Sequence, residues 1–454
     1  MALDLPALAV AALATLLAVA LFSAAPLLSR RERRGLRDAG AGAGETPARQ
    51  FARNAAMVAQ CAGAAALVVL ALMLTRSFVK LTAVDLGWRS AGVLSLRVSP
   101  PMPRELRRPW YRFVEWSDRL VSRLEATPGI ARAAVTTQVP LTPEPFPTTL
   151  GRGRGKVSGD VARWPGVGHV VTDNYFAAMG IRLLEGRIFG RGDRLTEAQV
   201  NSLERADRGV AIVSETAARQ MWPGQPAIGQ ALWLPDIDNV GWREVIGVVA
   251  DIQFYAVGET PVAHVFIPWT QRSTGRPRLV VQSATLDDAA LATVVRQVVE
   301  EVEPGTRVEQ VAMLDALLSR ATAGPRFTSR LVGAFSLLAL VLAAVGIYGT
   351  LSFVVGARAR EIGVRIALGA SPAHIMRRTL SRGLLPAAIG GLTGLAAAIA
   401  VARTFRSLLF GIEPVDAGSL AAGALLVLAV TLLAALAPAR RASRVDPTVA
   451  LRAE

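Results

Sequence analysis

A helix needs about 20 mostly apolar residues to cross roughly 30 Å of hydrocarbon. Five stretches of the chain meet that length: Leu5–Leu28, Ala55–Leu74, Leu331–Gly356, Leu384–Val401 and Leu420–Ala437. The fourth is the thinnest, because Gly390, Gly391 and Gly394 interrupt it. Between the second and third the pattern changes. From Val93 onward, alternating and β-branched runs are separated by Pro and Gly, which predicts strands mixed with helices in a water-soluble domain. The strand candidates are VLSLRVS (Val93–Ser99), ARAAVTTQV, GVAIVS (Gly209–Ser214), REVIGVVADI (Arg243–Ile252), AHVFIP (Ala263–Pro268) and PRLVVQS (Pro277–Ser283). In RPWYRFVEWSDRLVSRLEATPG, Phe113, Trp116, Leu120 and Leu124 share one helical face, and Pro128 with Gly129 ends the helix. SETAARQMW and LDDAALATVVRQVVEEV supply further helices. The predicted fold class is an integral membrane α-helical protein with five spanning helices and an inserted α/β (α+β) domain, of about 250 residues and able to bury its own core.

Composition supports the membrane class: 52% of residues are hydrophobic and the mean hydropathy is +0.38. The net charge of +15 would suit nucleic acid if the cations were clustered on a soluble surface. They instead flank the apolar runs, as in Arg30, Arg31, Arg33 and Arg34, Arg377, Arg378 and Arg382, or Arg440, Arg441 and Arg444. No zinc-finger or basic-zipper pattern accompanies them, so nucleic acid is not an expected partner. The placement is a topology signal. The first span opens on Asp4 and is followed by its basic cluster, which argues against a cleaved signal peptide and turns its C-terminal end to the cytoplasm. Alternation then assigns residues 1–28 to a first span, 29–54 to a basic cytoplasmic linker, 55–75 to a second span and 76–328 to a domain outside the bacterial inner membrane. Residues 329–438 hold three spans with an inside loop at 357–383, and 439–454 form an inside tail. The short outer loop balances Arg403 and Arg406 against Glu413 and Asp416.

Candidate catalytic chemistry is not found. GRGRGKVSGD around Lys156 fails as a phosphate loop, since Leu150 and Val157 occupy the places where a Gly and a Ser or Thr are needed. His169, His264 and His374 are far apart in sequence with no i, i+4 partner, so neither a zinc site nor a histidine triad is expected. The single cysteine, Cys61, lies in an apolar run and permits no intrachain disulfide. The expectation is a protein that is not an enzyme and holds no cofactor or metal.

The most specific local pattern is ARAREIGVRIALGASPAHIMRRTLSRG, Ala357–Gly383, which parses as two short helices. Ile362 and Ile366 form an apolar stripe, and Glu361 precedes Arg365 at the favourable i, i+4 spacing. Gly369 suits a left-handed C-cap, Ser371 an N-cap, and Pro372 the first turn of the next helix. The result is an amphipathic, basic elbow at the inner face of the membrane, which from the residues alone serves equally as an interfacial connector among headgroups. REIGVRIALGAS resembles the cytoplasmic loop of MacB/FtsX-type ABC transporter permeases. The preceding LVGAFSLLALVLAAVGIYGTLSFVV and the tail LAPARRASRVDPTVALRAE are similar to the same family, as are VTDNYFAAMGIRLLEGRIFGRGD, VAIVSETAARQMWPGQPAIGQ and VIGVVADIQ to its periplasmic core. The resemblance implies a permease without ATPase motifs, driven by a separate ABC ATPase subunit that meets a coupling helix. Carried over by motif, Arg360, Glu361, Gly363, Arg365, Leu368 and Gly369 are the expected contact positions. It also implies a homodimer or pairing with a sister permease half, and relay of ATP-driven motion to the periplasmic domain for export, efflux or mechanotransmission.

The family's unit has four spans, one more being present here. LATLLAVALFSAAPLLSRRERRGLRDAG (Leu13–Gly40) loosely parallels LAVTLLAALAPARRASRVDPTVALRAE (Leu428–Glu454), each passing from an apolar helix through Pro into arginines. This resembles duplicated permeases of the ADOP type, with the chain as a second unit preceded by the last helix of a first. A different function fits the same topology: a membrane-anchored signalling or scaffold protein whose outer domain binds a protein partner and moves no solute.

Overall fold

The structure, a computed structural model, describes residues 47–101, 110–142, 147–153, 163–194, 209–234, 242–271, 277–406, 409–413 and 415–444. The predicted span Leu5–Leu28, the N-terminal half of the proposed parallel (Leu13–Gly40) and the last ten residues of its C-terminal half lie outside them.

In chain order, α1 (Pro47–Thr82) leads to β1 (Val93–Ser99), α2 (Trp110–Glu125), β2 (Ile130–Thr136), β3 (Pro147–Arg152) and β4 (Arg163–Val171). Then come α3 (Tyr175–Met179), β5 (Leu183–Gly186), β6 (Gly209–Ser214), α4 (Glu215–Met221), β7 (Ala231–Trp233), β8 (Arg243–Val249), β9 (Ala263–Pro268) and β10 (Arg278–Ser283). The chain continues through α5 (Asp288–Val302), β11 (Arg307–Met313), α6 (Leu314–Ala321), α7 (Ala323–Ala357), α8 (Ala359–Ala367), α9 (Pro372–Thr404) and α10 (Ala417–Ala442). Two compact units result, one made of residues 1–80 with 325–454 and the other of 81–324.

In the helical unit, α1, α7, α9 and α10 are long and apolar enough to span a membrane, four such helices among the described residues. Helix α1 is the most enclosed: 44% of its apolar window is buried, against 17% for α7, 28% for α9 and 22% for α10. Small residues bring the others onto it. A Cβ on Gly390 or Gly394 of α9 would meet the backbone oxygen of Val58 or Ala62 at 2.5 or 2.4 Å. One on Gly346 of α7 would strike the Gln60 amide at 2.3 Å, and one on Gly423 of α10 would strike Val69 at 2.5 Å. Lipid offers no hydrophobic drive for helices to associate, so close backbone approach and dispersion must do it, and glycine permits that approach. Two of the three glycines that thin the fourth apolar run, Gly390 and Gly394, are therefore its contact surface, while Gly391 faces open space. Outward, Phe335, Leu337, Val341 and Val345 of α7 are exposed, as a lipid-facing side requires.

Helix α1 also outruns the predicted Ala55–Leu74. Arg53 and Arg76 stand 23 residues apart on it, about 35 Å of helix, so these cations bracket a hydrocarbon thickness. At its far end Arg76 pairs with Asp416 at 2.6 Å, and Lys80 Nζ donates to the Gly411 carbonyl at 2.6 Å. Thr75 and Ser329 share a hydroxyl hydrogen bond of 3.2 Å between α1 and α7.

The other unit is one eleven-stranded sheet with helices packed on it. Strand β1 lies between β10 and β11, both antiparallel, and β10 continues to β2 and β4. Beyond that, β4 pairs with β3, β3 with β7, β7 with β8, β8 with β6, β6 with β9, and β9 returns in parallel to β4, so six strands form a closed circuit. One core holds the buried face of α2, with Trp116, Leu120 and Leu124 each at most 1% exposed, together with α5 and the β-branched strand residues. A second core gathers Tyr175, Phe176, Phe189, Phe254 and Phe266 around His169 and His264.

Those two histidines, 95 positions apart, meet in the structure: His169 Nε2 lies 2.9 Å from His264 Nδ1, on adjacent parallel strands β4 and β9. Both are fully buried, and His169 Nδ1 has no hydrogen-bond partner. Burial holds His169 well below the usual imidazole range, with the neighbouring His264 adding to the effect. Burial also lowers His264 to about 4, opposed in part by Asp251. The pair is neutral and structural. No group of three or more metal-ligating side chains occurs among the described residues.

Candidate functional site

Between α7 and α9 the chain makes a short elbow, α8. Its C-terminus closes with both hydrogen bonds of a left-handed cap: Gly369 N–H donates to the Ile366 carbonyl at 3.0 Å, and Ala370 N–H to the Arg365 carbonyl at 2.9 Å. Gly369 sits at φ +91° with open space where a Cβ would stand, so its backbone angle, not crowding, is what requires glycine. Two residues later Ser371 Oγ accepts from His374 N–H at 3.3 Å, and Pro372 occupies the first turn. Every cap anticipated from the sequence is thus formed. What differs is the second helix of the elbow. It is no separate short helix but the beginning of α9, which runs on to Thr404 with Pro386 inside it.

The six expected contact positions divide by face. Leu368 is 82% exposed and Val364 40% exposed, giving the elbow an apolar outer tip that lipid-independent burial within the chain does not cover. Glu361 lies beside them and binds Arg365 at 2.6 Å, with Arg358 at 4.0 Å. Such an exposed i, i+4 pair contributes about 0.3–0.5 kcal/mol to the helix. Gly363 is buried. Arg360 falls in the first turn of α8. Val364 was not singled out from the sequence, although its i, i+3 relation to Glu361 and i, i+4 relation to Leu368 places it on the same outward stripe. Glu361, Val364, Arg365 and Leu368 together form a surface with one apolar tip and a fixed ion pair.

Two family models match the chain. Residues 333–447, which include the elbow, match the FtsX-like permease C-terminal model, and residues 62–313, more than half of the chain, match the MacB-like periplasmic core domain. The chain belongs to the MacB/FtsX-type permeases. Among similar proteins, the macrolide export ATP-binding/permease protein MacB of Azoarcus sp. (strain BH72) is 26% identical over 291 residues, covering 62% of this chain and 42% of that protein. MacB of Burkholderia thailandensis is 24% identical over 353 residues, covering 75% of this chain and 51% of its own. This MacB/FtsX-type permease therefore spans about half the length of the curated relatives it matches. Among solved structures, the periplasmic region of MacB from Actinobacillus actinomycetemcomitans aligns over 52% of this chain and 95% of its own, with 14% identity and a TM-score of 0.30. The match of both family models makes this an α-helical membrane protein with an inserted α/β domain of the MacB periplasmic type, a transporter permease by family.

Proposed function

We propose that the chain works as the permease subunit of an ABC transporter in the bacterial inner membrane, with residues 76–328 on the periplasmic side. A separate ATPase subunit seats on α8, and nucleotide-driven movement passes through α7 and α9 toward the periplasmic domain. The observation that carries this reading is the elbow itself: a capped, rigid helix with Leu368 and Val364 exposed beside the Glu361–Arg365 pair, joined at both ends to spanning helices. A rigid-body push on such an element has no slack to absorb it. Pairing with a second copy or a sister permease half would set two elbows against two ATPase subunits.

The test is affinity purification of the tagged chain from its native membrane. The unaltered chain is expected to bring down an ATPase subunit and its nucleotide hydrolysis. Gly369→Trp, which cannot hold the cap angle, and Glu361→Arg, which replaces the ion pair with clustered cations, should each lose that association while membrane insertion persists. Association and hydrolysis unchanged in both variants would remove α8 as the coupling element.

A further inference from the structure

In the sheet-containing unit, residues 182–188 leave the core and return to it. Ile181 and Phe189 at the two ends are buried, and every residue between them is exposed. Within this run lies β5, which among the described residues pairs with β8 alone, so its other edge carries no strand from among them. The large apolar side chains exposed on this unit gather here. Leu183, Leu184 and Ile188 belong to the run, and Ile228 lies over Gly186, its Cδ1 being 2.8 Å from where a Cβ would stand. Tyr255 is the other such side chain among the described residues of the unit. Two charges flank the leucines. The side chains of Arg182 and Glu185 form no hydrogen bond or ion pair with any described residue, whereas Arg187 is held by Asp193 at 2.6 Å.

We propose that β5 is a contact between two copies of this chain, made by antiparallel pairing of their open β5 edges. An apolar strand edge without a neighbour recruits another strand, because its outward N–H and C=O groups have no partner in the fold. An edge protected against this carries charge of one sign, which repels a second copy. This one carries one charge of each sign, three positions apart. With Leu183 of one copy opposite Leu184 of the other about a two-fold axis, Arg182 of each copy falls opposite Glu185 of the other. Both ion pairs and both leucine pairs then form at once. A slip of one residue in either direction sets Arg182 opposite Leu184 or Gly186 instead, so the charges select a single register. The sequence of the edge is thus complementary to itself, which makes the occupant a second copy. The inference deepens the pairing with a second copy given above and is independent of any ATPase.

The experiment traps this register in the full chain in its membrane. In a Cys61→Ala background, Arg182→Cys combined with Glu185→Cys should give a disulfide-linked dimer on mild oxidation, at about tenfold the yield of either single-cysteine variant. Opposed residues of an antiparallel pair stand about 4.5–5.5 Å apart at Cα, within disulfide range, while the two positions of one strand are about 10 Å apart and cannot bridge. A second arm reads the charges. Differently tagged Arg182→Glu and Glu185→Arg chains should co-purify with each other about tenfold better than either does with itself. Both side chains are exposed and make no contact of their own, so these substitutions leave the fold intact. A double-cysteine yield no higher than that of the single variants, or tagged chains that co-purify equally in every combination, overturns the proposal. If native mass spectrometry of the unaltered chain still shows a dimer, the contact lies elsewhere and the pairing with a second copy survives this inference. A disulfide to a chain of another mass gives the edge to a different protein and overturns the proposal as well.

Discussion

His169 and His264 are each unremarkable in the sequence and become a linked pair only because β4 and β9 run in parallel register, Gly168 opposite Val265 and His169 opposite Phe266. Their shared hydrogen bond and burial have a pH consequence. An unfolded imidazole titrates near 6.5 and folded His264 near 4, so between these values the unfolded chain binds more protons and stability rises with pH. The contribution is complete above about pH 6.5 and is lost as pH falls toward 4, roughly 3 kcal/mol across that window. A melting series of the full chain in detergent should show this decline, and His264→Leu should reduce it, buried His169 keeping its own share, at some cost in stability at pH 7. At Gly369 the strain is of another kind. Gly369→Ala fits the open space but not the left-handed angle, so it should destabilise α8 by about 1 kcal/mol, detectable as faster amide hydrogen exchange at Ile366 and Leu368 with the rest of the bundle unchanged.

Helices and strands were legible where one face alone decides their pattern. GVAIVS and AHVFIP coincide with β6 and β9 to the residue, and the Phe113–Leu124 stripe is the buried face of α2. Strands β3, β4, β5, β7 and β11 were not legible. β4 carries Pro165 and two glycines, residues that argue against a strand, and is held by β3, β9 and β2 rather than by its own propensity. Gly151, the first glycine of the Lys156 segment, proves to be a strand position where Trp233 packs against the bare backbone. The elbow was the most readable part of the candidate site because its caps are local chemistry, whereas the open edge of β5 exists only through its pairing with distant β8. Among the spanning helices, glycine reads as weakness in a hydropathy profile and as contact in the bundle. Gly394→Leu should therefore break the approach of α9 to α1, lowering the melting temperature and monodispersity of the purified chain far more than Gly391→Leu, whose Cβ meets open space.

Across the whole molecule, the sidedness of the two ends of the helical unit sets every functional reading. In a Cys61→Ala background, Thr293→Cys on exposed α5 should react with an impermeant thiol reagent once the outer envelope is opened, while Ser371→Cys should react only after the inner membrane is breached. Equal reactivity at both would reverse or abolish the assigned topology. The order of the sheet also constrains how the protein can be made. Strand β1 emerges early, yet both of its partners, β10 and β11, belong to the last part of the domain, and β11 lies roughly 200 residues later. At synthesis rates of about 5–20 residues per second, β1 must wait about 10–40 s with both edges unpaired. A translocating chain in that interval offers two open strand edges to any neighbour, so the span of time before Arg307–Met313 arrives is when this protein is most dependent on chaperones and most exposed to proteases. Slowing translation just upstream of β11 should lower its yield in the membrane, an effect that a domain built from successive hairpins would escape.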